Sequence, residues 1–142
     1  MKKKHLPPNP ISIANATQRG SQKFSVLISV SGGADSMYLT WLLAYSFPDT
    51  QLQAIYFDHG LREEHSIQAD KSVVSTLCQN LNIPLITQSL PVNTTAEQTQ
   101  NSIETTARRL RRDALYAHAK AESCTHIALG HHLDDHIETI LF

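Results

Sequence analysis

The apolar residues of this chain fall into two alternating kinds of segment. Short β-branched runs, typical of buried strands, cover residues 24–30, 52–58, 84–90 and 125–131. Segments with helical spacing follow them at residues 34–47, 63–81 and 103–121, and a last helix is predicted from residue 132 to the end. The polar stretch 91–101 is predicted to be a loop. This alternation predicts an α/β fold, a doubly wound parallel sheet with helices on both faces.

The first residues differ from the rest. Residues 1–22 have no sustained period and are predicted to form a flexible N-terminal arm, followed by one domain over residues 23–142. The positive start "MKKKH" is followed by Pro, Asn and Ser rather than by an apolar stretch, so no export signal is predicted. We expect a cytoplasmic protein, in the bacterial cytosol or the plastid stroma, without membrane contact.

Charge and cysteine content narrow the function classes. The chain has 12 basic and 13 acidic residues, a balance that does not predict the broad positive surface of an independent nucleic-acid binder. Cys78 and Cys124 form no C-x-x-C pair, so neither a zinc knuckle nor a redox dithiol is indicated. Cys78 has helical spacing to Val74 and Leu81, which predicts a core position.

The segment "SGGADS" (31–36) follows the first predicted strand. Gly32 and Gly33 allow a ligand to approach the main chain, and the helix that begins near Ala34 directs N–H groups and its positive dipole end at that point. Ser31 and Ser36 offer hydroxyl donors. Asp35 offers a carboxylate for Mg²⁺ bridging phosphate oxygens. The segment predicts a phosphate site; the alternative is a plain helix N-terminus capped by Ser31 or Asp35.

The segment "GHHLDDHIE" (130–138) follows the fourth predicted strand. At 100° per residue, His131, Asp135 and Glu138 fall on one narrow stripe of a helix. Such a group can bind a metal, orient a nucleophile or move a proton. The zinc motif H-E-x-x-H is absent, so a dedicated zinc site is not predicted.

The segment "TARRLRRDAL" (106–115) is predicted to place Arg108, Arg111 and Arg112 on one flank of a helix, with Glu104 spaced to pair with Arg108. Guanidinium groups bind phosphates through two parallel hydrogen bonds. The alternative interpretation is a solvated helix face.

The segment "FDHGLR" (57–62) ends the second predicted strand. Asp58 and His59 are predicted to meet a nucleotide base or ribose, since ligands of such sheets bind beyond the carboxyl ends of the strands. The alternative for Asp58 is to cap the next helix.

In this order, the four segments resemble the PP-loop family of ATP pyrophosphatases, and within it the tRNA(Ile)-lysidine synthetases. "SGGADS" resembles the family's SGGxDS loop, "DHGLR" the element after its second strand, "TARRLRR" its arginine-rich helix, and "GHHLDDHIET" its HHxDD-xxET segment. The resemblance runs from about Phe24 to Phe142 and implies an adenine nucleotide alpha hydrolase-like fold.

The resemblance also implies a reaction. ATP adenylates C2 of the wobble cytidine in the CAU anticodon of tRNA(Ile), pyrophosphate leaves, and the ε-amine of free L-lysine displaces AMP to give lysidine. It implies ATP and Mg²⁺ as cofactors and the anticodon loop of tRNA(Ile) as a partner. Carried over by position, pyrophosphate and Mg²⁺ would be held by Ser31, Gly32, Gly33, Asp35 and Ser36, the α-phosphate by Arg108, and the adenylation and lysine pocket would be lined by His131, Asp135 and Glu138.

Two further hypotheses stay open. One keeps the nucleotide site and changes the chemistry to tRNA thiolation or amidation; the other is a truncated, non-catalytic nucleotide-binding module. Members of the resembled family usually carry C-terminal tRNA-binding domains, and we expect these to be missing from the chain as given, which stops at Phe142. A homodimer is compatible with the sequence.

Overall fold

The computed structural model describes residues 24–60 and 64–130. In this part of the chain the strands are β1 (Ser25–Val30), β2 (Gln51–Asp58), β3 (Leu85–Ser89) and β4 (His126–Leu129). The helices are α1 (Ala34–Ser46), α2 (Glu64–Asn80), α3 (Val92–Thr99) and α4 (Ile103–Ala121). The predicted strands and helices of this part are confirmed to within two residues at each end. The predicted arm at 1–22 and the predicted helix after residue 131 lie outside the described residues.

The described strands form one parallel sheet with the order β3-β2-β1-β4. The chain first moves from β1 to β2 and β3, and then crosses back to place β4 on the other side of β1. The order therefore reverses between β1 and β4, and a crevice at such a point, beyond the carboxyl ends of the strands, is where ligands of open α/β sheets bind.

The central strands β1 and β2 are buried on both faces, which explains their apolar runs over residues 26–28 and 54–57. Val26, Ile28 and Val30 of β1 belong to the core on the side of α1 and α2, whereas Leu27 belongs to the core on the side of α3 and α4. The prediction of helices on both faces of a doubly wound sheet is confirmed. Cys78 is 1% exposed, as its spacing predicted, and this burial raises the pKa of its thiol.

The prediction of a loop over residues 91–101 is wrong, because α3 occupies most of it. Val92 and Ala96 are one helical turn apart and are 1% and 6% exposed, and Val92 packs in the same core as Leu115 of α4. Two small apolar contacts are enough to hold a short helix on a core, although its other residues are polar. Gln100, with φ 54°, ends the helix in the left-handed region.

Within the described residues, none of the helices is both long enough and apolar enough to cross a lipid bilayer.

Candidate nucleotide site

The turn between β1 and α1 is formed by Ser31, Gly32 and Gly33. Gly32 has φ +78°, a conformation that side chains other than glycine rarely adopt. A Cβ atom at Gly32 would also lie 3.1 Å from the Cβ of Asp70 on α2. Glycine is therefore required at position 32 by its backbone angle and by the close approach of α2.

Ser36 closes this turn from the first turn of α1. Its side chain is buried, and its Oγ accepts a hydrogen bond from the Ser31 N–H at 3.1 Å and donates one to the Gly33 carbonyl at 3.1 Å. The Ser31 Oγ lies 3.1 Å from the same Ser36 Oγ. Since a hydroxyl has one proton, the Ser36 side chain acts here on the shape of the turn, and a direct contact with a ligand stays a prediction.

The N-terminus of α1 directly follows the turn and is exposed to solvent. Its N-cap residue, Gly33, makes no side-chain capping hydrogen bond, and Ala34 and Asp35 in the first turn are exposed. The first N–H groups of a helix have no acceptor within the helix and carry the positive end of its dipole. The turn and the helix start together present main-chain donors of the kind that bind anions.

A cavity of about 640 Å³ lies beside this turn. Ser31 and Ser36 line it from the turn, and Gly130 lines it from the end of β4. Arg108 and Arg111 line it from α4, together with Glu104 one helical turn before Arg108. The cavity thus brings "SGGADS" and the arginine-rich helix together at the point where the strand order reverses.

Arg112 is not part of this wall, contrary to the prediction that it shares a flank with Arg108 and Arg111. Its side chain is 48% exposed, and its Nε lies 3.7 Å from Oδ1 of the neighbouring Asp113. One residue further along a helix turns the side chain by about 100°, which is enough to move it out of the cavity.

A second cavity of about 300 Å³ adjoins the first, because Ser31, His59 and Arg111 line both. Its other walls come from the end of β2, with Asp58 and Gly60, and from α2, with Ile67 and Asp70. His59 was predicted to meet a nucleotide, and the structure places it between the two cavities.

Asp58 has partners within the protein. Its Oδ1 accepts a hydrogen bond from the Gly60 N–H at 3.0 Å, and its Oδ2 lies 3.2 Å from the Nζ of Lys71 on α2. The Gly60 N–H and then Lys71 lower the pKa of the Asp58 carboxyl, while its burial acts in the opposite direction. These contacts give Asp58 a role in holding the turn after β2, at Gly60 with φ +63°.

Gly130 marks where β4 meets the turn formed by Ser31, Gly32 and Gly33, which we call the phosphate turn after its predicted ligand. A Cβ atom at this position would lie 2.7 Å from the Cα and 2.8 Å from the N of Ser36. The close approach is possible only without a side chain. His131, Asp135 and Glu138 lie outside the described residues, and Gly130, which directly precedes His131, lines the larger cavity.

The sequence profile of the PP-loop domain matches residues 9–142. The chain belongs to the PP-loop domain family. The resemblance derived from its four segments is thereby confirmed at the level of the family.

Within this family, the chain is similar in sequence to tRNA(Ile)-lysidine synthases. It is 36% identical to a tRNA(Ile)-lysidine synthase of Thermotoga maritima, over 82% of this chain and 28% of that protein. It is 38% identical to a tRNA(Ile)-lysidine synthase of Haemophilus ducreyi, over 88% of this chain and 27% of that protein. The chain thus spans less than a third of the length of these relatives.

A solved structure with the same fold is the U34-tRNA thiolase NcsA of Methanococcus maripaludis. It superposes with a TM-score of 0.64 at 25% identity and covers 81% of this chain and 41% of the thiolase. The likeness confirms the PP-loop fold predicted from the four segments.

Three residues at the PP-loop site were not singled out in the sequence. Asp70 and Lys71 belong to α2, and their contacts with Gly32 and Asp58 join residues far apart in the chain, so no local pattern marks them. Gly130 had a usable signal, since a glycine directly after a buried strand often marks a close backbone approach.

The contacts of Asp58 predict a pH-dependent contribution to stability. A carboxyl with a lowered pKa stabilises the fold above its unfolded pKa, ordinarily 3.8, and this contribution is lost as the pH falls through the lowered folded value. Asp58→Asn keeps an acceptor for the Gly60 N–H but loses the charge, so we expect a free energy of unfolding lower by about 1 kcal/mol near neutral pH. Urea unfolding should show this gap closing as the pH is lowered below 3.8. A gap that stays constant with pH would contradict the assignment.

Proposed function

We propose that this chain is the ATP-binding and adenylating part of a tRNA(Ile)-lysidine synthetase. The observation that carries the proposal is one cavity lined by Ser31 and Ser36, at the two ends of the "SGGADS" segment, and by Arg108 and Arg111 of α4. The chain is 36–38% identical in sequence to tRNA(Ile)-lysidine synthases and 25% identical to the tRNA thiolase. This difference favours lysidine formation over thiolation.

In the proposed reaction, O2 of the wobble cytidine attacks the α-phosphorus of ATP and the bond to the pyrophosphate breaks. Negative charge grows on the leaving pyrophosphate, and the N–H groups of Gly32 to Ser36 are suited to stabilise it because they are already in place. Arg108 is proposed to contact the α-phosphate. The ε-amine of lysine then attacks C2 and the bond between C2 and O2 breaks. AMP leaves with the former O2 of the cytidine, and the attacking nitrogen loses a proton.

Asp35 is the residue proposed to hold Mg²⁺. The described residues contain no group of three or more His, Cys, Asp or Glu placed to hold a metal ion. Mg²⁺ in nucleotide sites is typically held by one or two carboxylates together with phosphate oxygens and waters, and the exposed carboxylate of Asp35 beside the turn fits that arrangement. When bound, Mg²⁺ would neutralise charge on the phosphates.

The second substrates are proposed to enter the larger cavity. His131, Asp135 and Glu138 are proposed to line the lysine pocket, since carboxylates suit a cationic amine. In the sequence, His131 directly follows Gly130, which lines this cavity. The target cytidine lies in a single-stranded anticodon loop, where a base is more easily unstacked than in a duplex.

Calorimetry with ATP·Mg tests the nucleotide site. We expect the chain to bind ATP·Mg with a Kd between about 1 μM and 1 mM, the usual range for enzyme substrates. Inorganic pyrophosphate should compete, because both use the same turn. Absence of binding, or binding that pyrophosphate leaves unchanged, would overturn the proposal.

The chemistry is tested on a protein that carries this chain together with the further region present in the relatives. With the isoleucine tRNA transcript, we expect AMP release that depends on lysine. AMP release with ammonia or a sulfur donor in place of lysine would favour amidation or thiolation. ATP binding without any exchange of labelled pyrophosphate into ATP would favour a non-catalytic module.

A further inference from the structure

Helix α2 is attached to the end of β2 by one ion pair. The Nζ of Lys71 lies 3.2 Å from the Oδ2 of Asp58, and the two side chains are only 29% and 17% exposed. The other carboxylate oxygen of Asp58 is taken by the Gly60 N–H. Lys71 therefore connects the helix to the turn that carries His59 and Gly60.

The preceding residue attaches the same helix to the phosphate turn. Asp70 packs so closely on Gly32 that a Cβ atom there would lie within 3.1 to 3.3 Å of the Asp70 side chain. Two consecutive residues of α2 thus reach two different strand ends, that of β1 through Asp70 and that of β2 through Lys71.

The smaller cavity lies between these two attachments. One wall is Asp58, His59 and Gly60, and another is Ile67 and Asp70 of α2. Lys71 is not among its lining residues, so it acts on the cavity through Asp58 and not by touching a ligand. The width of this cavity depends on the distance between α2 and the end of β2. Core packing through Val74 and Cys78 holds α2 on the sheet, and the ion pair adds the contact nearest to the cavity wall.

We propose that Lys71 is a positioning residue of the nucleotide site, which through Asp58 sets the width of the smaller cavity for the nucleoside part of ATP. The inference rests on the proposed function, that the chain binds ATP. It adds that the site has two separate parts. The phosphate turn is held by the main chain and Ser36, whereas the smaller cavity, called the nucleoside cavity below, depends on Lys71.

The competing explanation is that the ion pair contributes only general stability, as exposed pairs do weakly. General stability affects all ligands of the folded protein alike. A positioning role predicts a selective loss, because inorganic tripolyphosphate uses the phosphate turn without entering the nucleoside cavity.

The test compares ATP·Mg with tripolyphosphate·Mg by calorimetry on the 142-residue chain. For Lys71→Met we expect ATP affinity to fall about fivefold, the upper end for a partly exposed ion pair, while tripolyphosphate affinity stays within about twofold. Lys71→Arg, which keeps the charge, should restore most of the ATP affinity. Lys120→Met, an exposed lysine of α4, is the matched control and should change neither affinity.

Asp58→Asn tests the same ion pair from its other end, and this single variant keeps the test decisive if Lys71→Met folds poorly. Asp58→Asn alone should produce the same selective loss of ATP affinity, and adding Lys71→Met should weaken ATP binding no further. Equal losses for ATP and tripolyphosphate, or no loss for ATP, overturn the role of Lys71. Failure of the unmodified chain to bind ATP overturns the proposed function itself, which is a different result.

Discussion

Replacing Gly130 with alanine is expected to destabilise the fold by about 1 to 3 kcal/mol, the usual cost of forcing extra atoms into a packed site. The new Cβ would lie 2.7 Å from the Cα and 2.8 Å from the N of Ser36, and both are main-chain atoms that cannot turn aside. Relief requires β4 or the start of α1 to move. Because the Ser36 hydroxyl closes the phosphate turn, we also expect ATP affinity to fall about tenfold, which corresponds to 1.4 kcal/mol.

Gly33→Ala is the matched control for the stability part of this prediction. Gly33 has φ −71°, which alanine adopts readily, and its added Cβ would meet only the Ser31 Oγ at 3.4 Å. Its free energy of unfolding should therefore not fall, and it can rise slightly because alanine restricts the unfolded chain. Urea unfolding of both variants gives the comparison. Equal stability of Gly130→Ala and Gly33→Ala would show that β4 does not approach the turn so closely.

Replacing Arg111 with methionine is expected to weaken ATP binding about tenfold to a hundredfold. Arg111 lines both cavities, so an ATP molecule with its phosphates at the turn and its nucleoside in the smaller cavity passes its guanidinium. Hydrogen bonds from an ionised donor to phosphate are among the strong ones. Methionine keeps much of the side-chain length and removes the charge. Arg111→Lys should recover only part of the loss, because an ammonium group cannot make the paired contact of a guanidinium.

Arg112→Met is the control for Arg111→Met, since it removes the same charge from the next residue of the same helix. Arg112 is exposed beside Asp113 and lies outside both cavities. We expect its effect on the Kd for ATP·Mg to stay within about twofold, in the range of a distant surface charge. Similar losses in the two variants would mean that net charge, and not position, governs nucleotide binding.

The fold was largely predictable because its information is local. The central strands β1 and β2 contain continuous apolar runs, as burial on both faces requires, and α4 shows its buried side at helical spacing. Helix α3 was missed because its composition is polar and only Val92 and Ala96 are buried. Its stability comes from the core that it meets, which a local pattern does not contain.

The candidate site also has features that a local sequence pattern predicts and features that depend on tertiary packing. The phosphate turn was predictable, since its glycines, hydroxyls and helix start lie within six consecutive residues. The separation of Arg112 from Arg111 required the orientation of α4 against the sheet. The contact of Asp58 with Lys71 joins residues 13 positions apart. Gly130, directly after β4, meets Ser36, which follows the neighbouring strand β1. Both contacts therefore depend on tertiary packing.

The central claim is that the turn after β1 and the start of α1 bind the diphosphate that ATP loses. The most direct measurement is an NMR titration of the ¹⁵N-labelled chain with inorganic pyrophosphate and Mg²⁺. We expect the largest backbone amide shifts at Gly32, Gly33, Ala34 and Asp35. The N-terminus of α3 is the internal comparison, because its N-cap residue Pro91 also makes no side-chain capping hydrogen bond and its residues line neither cavity. Shifts of equal size at both helix starts, or none at the turn, would contradict the claim.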